Sequence, residues 1–269
     1  MSVSEAMPVG VLPSGVVELA RRIIRIALVV AAVVGIWAGL IALFDLPSYQ
    51  VPSPAEAFRA LVDERVFLLE SLRVTMVATF AGLAFSATVS IVLAATFVAF
   101  PVTERAFLPV AIIFRSIPIV AMAPLLTLFV GRGLKTAVVC VTVVTFFPIL
   151  VNAAKGFRSV STGVHELFAI TGASRWQLFK HARLPTALPF LFAGLRVAGS
   201  VGVLAAMTAE WLTGTEGLGF LLLRASSRRQ SGLLWAGVIV ATLAALAIFT
   251  LASMADKRLQ QRFPQGRPT

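Results

Sequence analysis

Six apolar runs, each about as long as a bilayer core is thick, constrain this chain more than any other feature. They cover residues 23–44, 72–100, 106–130, 134–152, 187–212 and 233–254. A helix rises 1.5 Å per residue, so about 20 apolar residues cross a hydrocarbon core of about 30 Å. Lipid offers backbone N–H and C=O groups no partner, which leaves helices or closed barrels as the only spanning structures. Runs this long predict helices. The first, at 22 residues, exceeds the apolar segment of a cleavable signal and reads as a span. Composition agrees: 58% of the 269 residues are hydrophobic and 13% charged, against about 45–50% and about 25% in soluble domains.

The formal charge of +11 does not point to nucleic acid, because the basic residues flank apolar runs instead of forming a solvated face. An even number of spans puts both termini on one side. Thirteen of the 23 Lys and Arg fall on that side, eight fall opposite, and Arg115 and Arg196 lie within spans. The bias places both termini and the 153–186 loop in the cytoplasm. The expected organisation is a cytoplasmic tail over 1–20, a transmembrane domain over 21–255 and a cytoplasmic tail over 256–269. Cys140 alone can form neither an internal disulfide nor a cysteine metal site.

The third run contains Pro109, Pro118 and Pro124. Breaks in a span persist only where protein or a cavity satisfies the freed backbone, so a kink and a pathway-lining role both remain open. Arg115 lies about nine residues into this run, roughly 14 Å deep. A charge there should face protein or a wet cavity, either as an anion-attracting group or as a paired structural arginine. Glu210 sits near the outer end of the fifth run, beside Trp211. An interfacial acid anchored by that aromatic is the favoured reading, with pairing or gating as alternatives. "GIWAG" at 35–39 has the spacing of close helix packing. In the outer loop, Ser53 is placed to cap a helix beginning at Pro54, with Ala57, Leu61 and Val62 as its apolar stripe.

No catalytic constellation stands out. His165 and His181, with one nearby Glu and no Cys, do not make a metal site. "GRGLKT" at 131–136 departs from a phosphate-binding loop, because Leu134 separates Gly133 from Lys135. The one long basic loop is more informative. Val164, Leu167, Phe168 and Thr171 fall on one helical face, Gly172 supplies a reversal, and Ser174 can cap a second helix. Trp176, Phe179 and Lys180 follow at i, i+3 and i+4, and Pro185 and Pro189 close the unit as a stiff elbow. On these residues alone, a docking element for a cytoplasmic partner and a helix lying on anionic lipid fit equally.

"HELFAITGASRWQLFKHARLPTALP" resembles the cytoplasmic signature of ABC-importer permeases: E-A-A, three residues, Gly, nine residues, Ile, any residue, Leu-Pro. Glu166, Gly172, Leu184 and Pro185 fit; Leu167, Phe168 and Ala182 replace the two alanines and the isoleucine. "FRSIPIVAMAPLL", "TGASRWQLF" and "AEWLTGTEGLGFLL" are similar to the nitrate/sulfonate/taurine/bicarbonate subfamily. The resemblance implies an all-α membrane protein of six transmembrane helices with the type I importer permease fold. It implies a coupling helix carrying Glu166, Leu167, Phe168, Gly172, Ala173, Ser174 and Arg175. It also implies that "TGTEGLGF" at 213–220 lies at the outer gate, which makes Gly217 and Gly219 candidate gate residues beside Arg115, Pro118 and Glu210, the pathway or gate candidates already singled out. Gly214, Gly217 and Gly219 would permit an irregular backbone at the outer gate. Implied partners are a separate ATPase that binds ATP and Mg, a second permease copy and an extracytoplasmic substrate-binding protein, in a bacterial inner membrane. The permease itself would hold no cofactor and do no covalent chemistry. The implied cargo is a small anion, such as a sulfonate, nitrate or carboxylate, with pyrimidine or flavin vitamin precursors as alternatives. A secondary transporter or channel is the competing class; it should show coupling acids in its spans or repeated halves, and neither is evident.

Overall fold

The computed structural model describes residues 14–262, and among these there is no strand. Helix α1 spans Ser14–Phe44, α2 Pro54–Asp63, α3 Arg65–Ala99, α4 Pro101–Ser116, α5 Ile119–Val130 and α6 Leu134–Arg158. Then come α7 at Thr162–Ile170, α8 at Arg175–Leu178, a π turn at Phe179–Arg183, α9 at Leu184–Thr213, α10 at Leu218–Ser227 and α11 at Ser231–Arg262. Five stretches are each long and apolar enough to cross a membrane: Arg21–Phe44, Arg65–Ala99, Leu134–Arg158, Arg175–Thr213 and Ser231–Asp256. The remaining predicted span is the pair α4 and α5.

Of the three prolines in that pair, only Pro118 breaks the helix. Pro109 and Pro124 stay inside α4 and α5. Pro118 is extended (φ −62°, ψ 125°), and its carbonyl accepts from Ala121 and Met122 N–H at 3.0 and 3.1 Å to start α5. Proline also disfavours a helical Ile117 before it.

Helices α3, α6 and α9 form the centre. Their contact surfaces are rich in small side chains, including the buried Ala78, Ala137, Ala198, Ala205, Ala206 and Ala209. In lipid the gain comes from close backbone approach and dispersion, which small residues allow. A Cβ on Gly82 would stand 2.6 Å from Val141 Cβ, and one on Gly156 would stand 2.9 Å from Ala187 Cα. Buried hydroxyls mostly satisfy themselves along their own helix, as Thr79 and Thr145 do by donating to the carbonyls of Thr75 and Val141. Ser90 instead donates to the Phe146 carbonyl at 3.1 Å and joins α3 to α6.

Helix α1 stands apart. None of its membrane-length window is buried, and its ring contact with the bundle is Trp37 stacked on Trp235 at 4.8 Å. Gly35 and Gly39 of "GIWAG" meet nothing within 4 Å, so the two glycines make no close helix approach among the described residues, and the motif's contact is the Trp37 stack. Helix α2 forms as its sequence predicts. Ser53 and Glu56 make a reciprocal capping box at 3.2 and 2.8 Å, with Pro54 in the first turn. Ala57 is buried and Leu61 half-buried, whereas Val62 is exposed. Residues 14–20 belong to α1, and α11 runs on through Arg262; residues 1–13 and 263–269 of the two expected tails lie outside the described residues.

Candidate functional site

The long basic loop is two helices joined by a tight reversal. Gly172 adopts φ +66°, where a side chain would be strained. Around it the N–H of Ala173 donates to the Phe168 carbonyl at 3.0 Å, and that of Gly172 donates to the Ala169 carbonyl at 3.2 Å. That pair of bonds is a Schellman ending, which satisfies the last carbonyls of α7. Ser174 and Gln177 then form a capping box at 3.2 and 2.7 Å and start α8.

No residue of α7 is buried. Val164 and Phe168 are half-buried on its inner side; Leu167 is 57% exposed and Ile170 84%. The predicted single face of Val164, Leu167, Phe168 and Thr171 therefore divides. Sequence reasoning missed Ile170, whose signal was an apolar residue placed immediately before a polar turn. Trp176, at 68% exposure, lies on the next helix. Glu166, Ser174 and Arg175 are exposed and Ala173 is half-buried, so the predicted coupling residues share one external unit. A line of rings connects that unit to the bundle. Trp176 stacks on Phe179 at 5.7 Å, and Phe179 meets the fully buried Phe157 of α6 at 5.3 Å.

The predicted elbow at Pro185 and Pro189 is absent. The chain remains helical from Arg175 to Thr213 through the π turn, with the Leu184 N–H donating to the Phe179 carbonyl. Pro185 falls in the first turn of α9, where its missing N–H and fixed φ are tolerated. The wider π turn supplies the change of register immediately before it. The loop is therefore rigidly continuous with a spanning helix.

The second cluster lies at the far end of α9. Glu210 is 2% exposed, packed inside the bundle and hydrogen-bonded instead of lying free beside its aromatic neighbour Trp211, which is 54% exposed. Glu210 Oε2 accepts from Thr75 Oγ1 of α3 at 2.8 Å and from Gly219 N–H of α10 at 3.0 Å. Leu218 N–H in turn donates to Thr75 Oγ1 at 2.9 Å. The carboxylate thus ties three helices together and occupies the N-terminus of α10, where free N–H groups and the helix dipole favour an anion. Its other oxygen, Oε1, has no partner among the described residues.

The three glycines of this turn do different jobs. Only Gly217 takes a left-handed φ, +99°; a Cβ there would also strike the Glu210 carboxyl at 2.3 Å. Gly214 is ordinary extended backbone and Gly219 is helical. Gly219 is needed for space, since a Cβ would come 2.1 Å from the Met207 carbonyl. The expectation of irregular backbone at all three is corrected to one. Arg115 and Pro118 do not join this cluster. Arg115 is exposed in the last turn of α4, its guanidinium 5.1 Å from the centre of the Phe147 ring, just before the Pro118 break.

A family model described as binding-protein-dependent transport system inner membrane component matches residues 86–264. A probable ABC transporter permease protein of Haemophilus influenzae is 28% identical over 228 residues, which cover 85% of this chain and 93% of that one. The riboflavin transport system permease protein RibX of Chloroflexus aurantiacus is 35% identical over 156 residues, 58% of each chain. The taurine transport system permease protein TauC of Escherichia coli is 29% identical over 195 residues, covering 72% of this chain and 68% of that one. In solved structures, an inward-facing conformation of the MetNI methionine ABC transporter matches with a TM-score of 0.60 at 22% identity, over 72% of this chain and 94% of that one. That last likeness is one of fold. The family model spans well over half of the chain and takes in the two-helix loop and, of the second cluster, Glu210, Leu218 and Gly219, and the chain belongs to the binding-protein-dependent transport system inner membrane components, the permeases of ABC importers.

Proposed function

We propose that this chain forms the pathway for a small organic or inorganic anion and passes the work of a separate ATPase to that pathway through its two-helix loop. The observation that carries this reading is the loop itself. It presents Leu167, Ile170 and Trp176 to the outside and is anchored by stacked rings to α6 and by unbroken helix to α9. Exposed apolar groups on a capped, folded element mark an interaction surface, and the attachment of this one to α6 and α9 favours a protein partner that acts on the bundle over a lipid surface. ATP and Mg belong to that partner. Two copies of the chain and an extracytoplasmic binding protein complete the importer, with both termini and the loop in the cytoplasm.

Alternating access then follows from the helix arrangement. A push on the loop moves α9, and α9 carries Glu210, which holds the outer turn to α3. Opening and closing at that end is coupled to the loop without a hinge between them. The anion assignment rests on Arg115, a cation without a carboxylate partner among the described residues at the α4–α5 break, and on similarity to permeases named for taurine and aliphatic sulfonates. Permeases named for riboflavin and formylaminopyrimidine are also similar, and they make a flat heterocycle the second candidate.

The test is co-purification from the native host. The wild-type chain should bring ATP-hydrolysing activity with it. Gly172→Trp, which forces a bulky residue into a left-handed position, should not, at equal expression and fold. A wild-type eluate without ATPase under complex-preserving conditions would remove the reading.

A further inference from the structure

A cavity of about 600 Å³ opens between α4 and α6 at the loop-bearing end of the bundle, with Phe190 of α9 in its wall. Its two long walls are graded in the same direction. On α6, Phe147, Val151, Lys155 and Arg158 line it. The spacing is four, four and three, which places all four on one helical face. On α4, Glu104, Leu108 and Ile112 line it, four residues apart. Both stripes are apolar in their depth and charged at the mouth. Arg158 and Glu104 pair across that mouth. From Phe147 to Arg158 the α6 stripe runs eleven residues, ~16 Å, which is about half of a ~30 Å hydrocarbon core.

The charges at the mouth do not balance. One carboxylate, Glu104, faces two cations. Arg158 gives one N–H to it, and Lys155 has no carboxylate partner among the described residues; its ammonium lies over the Phe190 ring at 5.7 Å. Both cationic side chains are exposed. Arg115 lies over the Phe147 ring but does not line the cavity. A small inorganic anion would satisfy the mouth and leave the apolar depth empty. A neutral apolar molecule would fill the depth and leave the cations unanswered. An anionic amphiphile satisfies both, and basic pockets between spanning helices at the cytoplasmic boundary suit anionic lipid headgroups.

We propose that this cavity is a binding site for an anionic phospholipid of the leaflet on the loop side, its phosphate held by Lys155 and Arg158 and one acyl chain laid along Leu108, Ile112, Phe147 and Val151. The lipid fills the space between α4 and the end of α6 from which the loop departs. That position makes it a natural modulator of the loop's motion. The leaflet assignment rests on the permease reading above; the site itself rests on the cavity.

The experiment is native mass spectrometry of the full chain, purified in detergent and titrated with equal amounts of phosphatidylglycerol and phosphatidylcholine. Wild type should retain phosphatidylglycerol at least tenfold better. Lys155→Glu should bring the two lipids near parity, and Val151→Trp, which fills the depth, should abolish retention of both. Lys135→Glu, at the opposite membrane boundary, should behave as wild type. Gel filtration of every variant keeps misfolding separate from lost binding. The proposal fails if wild type does not discriminate between the lipids, or if Lys155→Glu and Val151→Trp retain phosphatidylglycerol like wild type. It also fails if decanesulfonate displaces the lipid as readily as more phosphatidylglycerol does, which would assign the cavity to a soluble amphiphilic anion. If Val151→Trp leaves lipid counts unchanged but splits a dimer, the cavity is an interface between copies. No ATPase is present in this assay, so its failure and the failure of the coupling reading are distinguishable.

Discussion

Ile170 offers the sharpest test of how the loop works. It is the last residue of α7 and is 84% exposed, more than Leu167 or Trp176. Replacing it with serine removes no packing within the chain. Serine also puts no negative charge at a helix C-terminus, as aspartate would. Stability should therefore move by no more than about 0.5 kcal/mol, as for surface substitutions generally. Docking is different. Burying an isoleucine side chain that starts this exposed is worth about 1.5–3 kcal/mol. At about 1.4 kcal/mol per factor of ten, its loss weakens partner binding by about 10- to 150-fold. The assay is titration of the cognate ATPase onto the permease in lipid nanodiscs. The comparison is Ile170→Ser against Phe58→Ser, a residue of α2 that is 67% exposed on the opposite side. Ile170→Ser should raise Kd by at least about tenfold with an unchanged Tm, and Phe58→Ser should change neither. Wild-type affinity for Ile170→Ser would refute the inference that the exposed apolar edge of α7 is the docking surface.

Other residues make independent predictions. Glu210→Ala strands the buried Gly219 N–H and leaves the Thr75 hydroxyl only the Ser71 carbonyl as acceptor, which should cost about 1–3 kcal/mol; Glu210→Gln keeps an acceptor and should recover most of the thermal stability and uptake. Equal loss in both would show that the charge, and not the hydrogen-bond geometry, holds the outer turn. Gly219→Ala, which drives a Cβ into the Met207 carbonyl, should abolish the yield of monodisperse protein. Gly163→Ala, with nothing within 4 Å, should not. Phe179→Ala interrupts the stacked rings between Trp176 and Phe157 and should lower uptake per ATP hydrolysed while leaving the ATPase bound; parallel loss of both would reduce the rings to a stability role. Arg115→Ala should impair uptake of an anion at normal expression, and unchanged uptake would remove Arg115 from the pathway.

Local chemistry was legible where local chemistry decides. The six apolar runs, the Ser53–Glu56 box, the Gly172 reversal and the Ser174 cap all depend on residues within one or two turns of each other. The proline readings fared unevenly because a proline's effect depends on what stands behind it. Pro118 breaks its helix, while Pro109 and Pro124 in the same stretch do not. Pro185 begins α9 without stopping it, because a π turn precedes it and Phe179 of that turn is pinned on Phe157. Burial of Glu210 was out of reach for the same reason. Its partners lie 135 residues before it and nine after it, and an acid beside a tryptophan at a span's end reads as interfacial until those partners are known. The small residues Gly217 and Gly219 were the available signal, since they leave the room that a buried carboxylate requires. Likewise, helical spacing alone does not tell which of Leu167, Phe168 and Ile170 turns outward; beyond the place of Ile170 just before a polar turn, the seating of α7 on the bundle decides it.

Both clusters sit at the ends of one rod. From Arg175 to Glu210 the chain is helical throughout, 36 residues and so roughly 50 Å, with the π turn as its one departure from α geometry. On the proposed function, a rod of that length, joined to the docking surface at one end and fastened by the buried Glu210 carboxyl at the other, transmits displacement with little loss only if neither end slips. In that reading the ring stack holds the loop end, and the bonds from Thr75 and Gly219 to Glu210 hold the turn after α9. A flexible elbow at Pro185 would have absorbed the motion; unbroken helix passes it on. On the proposed function, this is why the loop needs no second connection to the outer side. The same logic explains why α1, which touches the bundle through little more than a tryptophan stack, can stand outside the coupled core.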